Sequence, residues 1–278
     1  MRLVWQFAAV AAVAFLGGQG VMAVQGNPWL TLAIGLLTAV VSVPVYRWVV
    51  RRTEHRPVTE LAGKGAVTAT GLGTLIGVAI FATVIVNIAF LGGYQVHGLG
   101  SVTGVAGLLG FMAAAAVTEE LMWRGVLFRI VEQRTGTWIA LALTGLLFGL
   151  AHLLNPHASL WGAIAIAIEA GGMLTAAYVA TRSLWLPIGL HFGWNFAASA
   201  IFSTEVSGND TAQGLLDATM PGPALLTGGE FGPEGSLYSI VFCVLATIVF
   251  MWLARRRGHL VPLRRRDGRG RATATLPR

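Results

Sequence analysis

Charge is scarce in this chain. Of its 278 residues 11% are charged and 55% are hydrophobic, against roughly 25% charged in soluble domains. That deficit excludes a large soluble core and leaves a polytopic membrane protein. Cysteine is nearly absent. The single Cys243 lies in an apolar run, so neither an internal disulfide nor a cysteine-based metal site is available, and it reads as a small buried apolar residue. Several catalytic signatures are also missing. The chain has no H-E-x-x-H, no G-x-G-D or G-x-S-G, and no Walker A or Rossmann glycine pattern. These absences exclude the site-2 type of zinc protease, the aspartyl and rhomboid types of intramembrane protease, and nucleotide-binding domains.

The net charge of +7 raises nucleic acid as a partner, but the distribution of charge excludes it. The basic residues sit in clusters beside apolar runs: Arg2, 47–64, Arg124 to Arg134, Arg182 and 255–278. No aromatic residues interleave with the C-terminal arginines to stack bases. Such clusters set topology and touch anionic headgroups.

Apolar runs cover approximately 3–24, 28–50, 66–92, 101–123, 137–154, 158–180, 184–204 and 237–254. They predict an all-α protein of about eight transmembrane helices. With the N-terminus inside, every Lys and Arg faces the cytoplasm, and the loops near 25–28, 92–100, 155–157 and 204–236 contain none. One orientation satisfies the positive-inside rule at every loop. It places both termini in the cytoplasm and the protein in the plasma membrane. Arg2, the apolar stretch and Val21-Met22-Ala23 also resemble a signal peptide. A retained first helix is the favoured reading, and cleavage would leave the remaining orientation unchanged. Residues 1–256 then form one transmembrane domain. The stretch 257–278 is expected to be a disordered basic tail, and 204–236, rich in Gly and Pro, a flexible connector.

Against this apolar background, polar residues inside spans are functional candidates, because a carboxylate near the bilayer centre costs roughly 2.5–3.5 kcal/mol or more. Glu119 and Glu120 end the run 102–118, and Arg124 follows. On a helix Glu120 and Arg124 are four apart, the favourable order for an ion pair. Glu119 points about 100° away. One carboxylate is thus held while its neighbour stays free to act as a general base. Phe148 and His152 are four apart in one span, as are His191 and Asn195 in another. Pro187 and Gly189 precede His191 and predict a kink or a deep start. Glu169 lies mid-span and needs a partner, by lining the same cavity or accepting a bond from Tyr178 or Thr175.

E-E-x-x-x-R, F-x-x-x-H and H-x-x-x-N, each on its own helix, resemble the CAAX-protease and bacteriocin-processing family (Abi, or CPBP), which includes the Rce1-type CAAX prenyl endopeptidases. The likeness covers about 100–200 and extends to 183–190, 222–224 and 231–235. It implies an intramembrane endopeptidase acting on a membrane-associated or C-terminal, CAAX-like substrate. It also implies that Glu119, His152, His191 and Asn195 are catalytic, with Glu120, Arg124 and Phe148 in support. In the expected roles Glu119, oriented with His152, activates water, and His191 and Asn195 bind the oxyanion. His152, His191 and Glu119 are also the ligand types for one zinc ion with an open position. Glutamate chemistry without a metal is slightly favoured, and the residues leave both open. A proton-coupled transporter using Glu119, Glu120 and Glu169 is a competing assignment, although it predicts inverted repeats that are not visible here. A non-catalytic adaptor or bacteriocin-immunity protein is another. The expected partners are a membrane peptide or protein and the bilayer itself, with no nucleic acid, and the sequence is silent on oligomeric state.

Depth poses a difficulty for the site. Straight helices place His191 roughly 10 Å from the inner end of its span and His152 roughly 22 Å into its own. Convergence therefore demands tilt, a late helix start or irregular backbone around a wet cavity.

Overall fold

The computed structural model describes residues 1–263. The apolar runs fold into helices because a chain in hydrocarbon must satisfy its backbone internally. In order these are α1 (Arg2–Ala23), α2 (Pro28–Glu54), α3 (Ala66–Phe90), α4 (Val102–Glu120), α5 (Arg129–Thr135), α6 (Thr137–Ala151), α7 (Leu160–Ile168), α8 (Thr175–Thr181), α9 (Trp185–Phe196), α10 (Ala224–Thr227) and α11 (Leu237–Arg256). Asn27, Ser101, Ser159 and Ser236 cap α2, α4, α7 and α11 with side-chain oxygens. A π-helical stretch, Leu121–Phe128, joins α4 to α5 as one helix of 34 residues. Another, Glu169–Leu174, joins α7 to α8, and a third, Ala197–Ile201, continues α9.

Seven helices among the described residues are long and apolar enough to cross a membrane, and the chain is an integral membrane protein. The expected eighth run, 184–204, differs from the others. It forms α9 and its π extension, and almost every residue there is buried. The helix of residues 160–181 is buried over 78% of its most apolar window, against 17–39% for the other six. These two helices form the centre of the bundle, and the others carry lipid-facing residues such as Val4, Phe15, Leu75 and Val249.

A close backbone approach seats α9 against α3. A Cβ on Gly77 would lie 2.2 Å from the Leu190 carbonyl oxygen, and one on Gly193 would lie 2.2 Å from that of Thr74. Gly73 and Gly189 repeat this contact one turn away. Each helix thus contributes two glycines four residues apart, the small-residue packing found where membrane helices touch. Gly193→Val is expected to wedge the helices apart and lower the melting temperature, at about 1–3 kcal/mol. A thermal melt in detergent checks this.

At one end of the bundle a polar cluster ties α1, α2 and α5 together. Arg129 donates twice to Glu54, at 2.8 and 2.9 Å, and Gln6 and Arg56 also donate to it. Arg56 donates twice to Glu60, which also accepts from Tyr46. Burial works to raise the pKa of Glu60, but the hydrogen bonds from Arg56 and Tyr46 outweigh it and hold the carboxyl below its usual range.

One expectation about the loops is corrected. The stretch 204–236 is not a loose connector. Thr204, Val206, Ser207, Thr227, Phe231, Glu234 and Ser236 are buried. Strand β2 (Leu216–Thr219) pairs antiparallel with β1 (Gln95–Leu99), Gln95 opposite Thr219, so the fold has a small sheet beside its helices. The polar anchors within this stretch find partners that spacing alone does not reveal. The basic tail lies outside the described residues from 264 onward. Its first residues are held, since Val261 donates to Thr137 at 2.8 Å and the His259 carbonyl accepts from Arg182.

Candidate active site

Glu119 and Glu120 take different environments, as their 100° separation requires. Glu120 is fully buried, whereas the side chain of Glu119 is 28% exposed and lines a cavity. Arg124, itself 1% exposed, donates to Glu120 Oε1 at 2.8 Å. Its other donors reach further elements. Nε donates to Thr175 Oγ1 at 3.3 Å and Nη2 to the Ala170 carbonyl. The guanidinium lies over the Phe148 ring, 4.8 Å from its centroid. One arginine therefore joins α4, α6, α8 and the π turn between α7 and α8.

Phe148 supports His152 as well. The two rings lie 4.7 Å apart, and Phe148 packs edge-on against Trp123. His152 Nδ1 donates to the Phe148 carbonyl at 2.7 Å. A carbonyl can only accept, so Nδ1 carries the proton and a neutral ring keeps Nε2 as an acceptor. His191 Nδ1 is 2.9 Å from Glu120 Oε1, and its Nε2 is 4.0 Å from Glu119 Oε2. Glu120 thus anchors Arg124 and His191 through the same oxygen.

Glu119, His152, His191 and Asn195 all line one cavity of about 380 Å³, within the range of small-molecule sites. Phe111, Met112, Ala115, Met122 and Trp123 supply an apolar wall, and Val206, Ser207, Asn209 and Thr211 come from the long loop. The depth difficulty has a structural answer. Helix α6 has 15 residues, about 22 Å, and with the turn that follows it makes a span of 18 residues. His152 follows at its end in a 3₁₀ turn. Glu119 sits midway along the 34-residue helix, and π-helical backbone follows both Glu120 and Phe196. Such π segments are frequent at functional sites.

Sequence reasoning missed the loop residues. Glu234 is 3% exposed and accepts from Trp194 Nε1 at 2.9 Å, from Ser207 Oγ at 2.8 Å and from the Ser207 backbone. It fastens the loop to α9 beside His191 and Asn195. Ser207 also accepts from Asn155 and adopts φ of 52°, a left-handed conformation that costs a non-glycine residue energy. Asp210 accepts a hydrogen bond from His157 and thereby raises the imidazole pKa. The only advance signal was the run 231–235, which carries part of the resemblance. Glu234→Leu strands three donors, at about 1–3 kcal/mol each. It should lower the melting temperature and expose 204–236 to limited proteolysis.

Glu169 lines a smaller cavity that also touches His152, His191 and Asn195. Neither expected partner reaches it. Thr175 accepts from Arg124, and among the described residues neither Glu169 carboxyl oxygen has a hydrogen bond.

Zinc requires about three protein ligands near 2.0–2.2 Å. Among the described residues no three His, Cys, Asp or Glu side chains converge on a metal position. His191 Nδ1 faces Glu120, and its Nε2 lies 4.0 Å from Glu119.

No curated protein and no solved structure matches the chain. Residues 101–197 match the sequence model of the family described as type II CAAX prenyl endopeptidase Rce1-like. That family is one of proteases, and the matched segment runs from the start of α4 through Asn195. Over residues 101–197 the chain is similar to that protease family.

Proposed function

We propose that the protein is an intramembrane endopeptidase in which Glu119 activates water against a peptide bond. The observation that carries this reading is the meeting of Glu119, His152, His191 and Asn195 on one cavity within the helical bundle. Glu119 takes a proton from a water that His152 Nε2 helps to orient. The oxygen attacks the scissile carbonyl carbon and forms a tetrahedral oxyanion. Asn195 and His191 donate to that oxyanion, each donor being worth roughly 3–4 kcal/mol in other hydrolases. With Nδ1 given to Glu120, His191 donates from Nε2 as an imidazolium. Glu119 then passes its proton to the leaving nitrogen as the C–N bond breaks. The products are a carboxylate and an amine.

The apolar wall from Phe111 to Trp123 suits a substrate held in the membrane. The family description adds a CAAX-like, prenylated C-terminus as one such substrate. The clustering of basic residues supports placing both termini in the cytoplasm and the protein in the plasma membrane.

The test compares membrane-protein termini in cells carrying the wild type or Glu119→Gln. Termini dependent on Glu119 are expected, and identical profiles would count against proteolysis. The same chemistry predicts that cleavage by purified protein survives dialysis against a zinc chelator. Loss of cleavage restored by zinc would overturn the metal-free assignment.

A further inference from the structure

Glu169 begins the π-helical segment Glu169–Leu174, in the most deeply buried helix of the bundle. It is 2% exposed, and neither carboxyl oxygen has a partner among the described residues. It faces a cavity of about 20 Å³, the space of roughly one water. His152, His191, Asn195 and Ser207 line this cavity and the larger one, so the small cavity lies directly behind the proposed catalytic residues. Its remaining titratable neighbours are Glu234 and Cys243.

An ionised carboxylate in such a place carries a penalty of several kcal/mol unless it is paired and hydrogen-bonded. Glu234, on the same cavity, has three donors to hold its charge, whereas Glu169 has none. A second negative charge there would lack donors and face a like charge. The neutral acid instead offers one O–H donor and retains acceptor capacity. A single water between Glu169 and the opposite wall satisfies both.

Asn195 lines the same cavity and is 7% exposed. Its backbone carbonyl accepts from Ser199 at 2.7 Å, and its side chain borders both cavities. The two ends of an amide have opposite roles. Nδ2 toward the larger cavity gives the oxyanion a donor, and Oδ1 toward it gives the oxyanion a repulsive lone pair. We propose that neutral Glu169, through one water in the small cavity, holds Oδ1 of Asn195 inward and so turns its N–H donors toward the scissile carbonyl. Glu169 is then a positioning residue, and its catalytic consequence rests on the protease reading.

The test uses the full-length protein in detergent with Glu169→Gln and Glu169→Leu. Glutamine keeps a neutral donor and acceptor. Leucine removes both, and replacing an unpaired buried acid by an apolar group is not expected to unfold the protein. Infrared spectroscopy at neutral pH should show a protonated-carboxyl band that both variants lack. For a peptide spanning a Glu119-dependent cleavage site, Glu169→Gln should keep kcat within about threefold. Glu169→Leu should lose about tenfold to a hundredfold in kcat with KM unchanged. A wild type without the band, a Leu variant with wild-type kcat, or a Gln variant as impaired as Leu would each overturn the proposal. If no cleavage depends on Glu119, the protease reading fails and the positioning role with it. The band then reports on the neutral carboxyl alone.

Discussion

Replacing Arg124 by alanine should unfold the membrane core and not merely slow the protein. The guanidinium is 1% exposed and serves Glu120, Thr175 and the Ala170 carbonyl while lying over Phe148. Truncation leaves Glu120 as a buried carboxylate that has lost its guanidinium and keeps His191 alone on Oε1, with Oε2 already lacking a partner among the described residues. Breaking a buried ion pair from one side costs about 3–5 kcal/mol, a large share of the 5–15 kcal/mol that holds a typical protein folded. The loss also frees the ring that supports His152. Arg124→Lys should recover only part of it, because an ammonium cannot present the planar fork that reaches three acceptors at once. Yield of monodisperse protein and the melting temperature in detergent check the ranking of wild type, Lys and Ala. An alanine variant that melts like the wild type would show that the cluster carries no weight in the fold.

Glu119→Gln should do the opposite, stopping turnover and sparing the fold. Its side chain is part-exposed to the cavity, and its nearest charged neighbour is His191 Nε2 at 4.0 Å. No hydrogen bond of the scaffold is lost with it. Glutamine keeps the shape and loses the ability to accept the proton of water. A positioned general base contributes about 10²–10⁴ in rate, or roughly 3–5 kcal/mol of barrier. The expected result is a near-complete loss of kcat with the melting temperature unchanged. The contrast between positions 119, 120 and 124 separates chemistry from scaffold. A shared loss of stability at all three would mean that the pair of glutamates is a single structural unit.

Much of this site was legible in the sequence. The i, i+4 spacing of Glu120 and Arg124 foretold their ion pair, and the angular offset foretold a separate environment for Glu119. Two histidines in different apolar runs pointed to one cavity, and both line it with Asn195. The depth estimate failed as a constraint because it assumed straight helices of full membrane length. Helix α6 passes into a 3₁₀ turn at His152, and π-helical backbone follows Glu120 and the α9 segment that carries Asn195. What stayed illegible depends on contacts between distant segments. The bond from Trp194 to Glu234 spans 40 residues and that from Arg124 to Ala170 spans 46. No local period encodes such a contact. The four glycines between α3 and α9 are visible as two G-x-x-x-G spacings, but which helices they join is a tertiary fact. The long loop is rich in Gly and Pro, which suggested mobility, yet Glu234 and the β1–β2 pairing pin it over the cavity.

The central claim is that Glu119 supplies the base while Glu120 holds the scaffold. The most direct measurement is the turnover, by folded Glu119→Gln protein, of one purified peptide that the wild type cleaves. No cleavage above background is expected, at a wild-type melting temperature. Cleavage at the wild-type rate would contradict it.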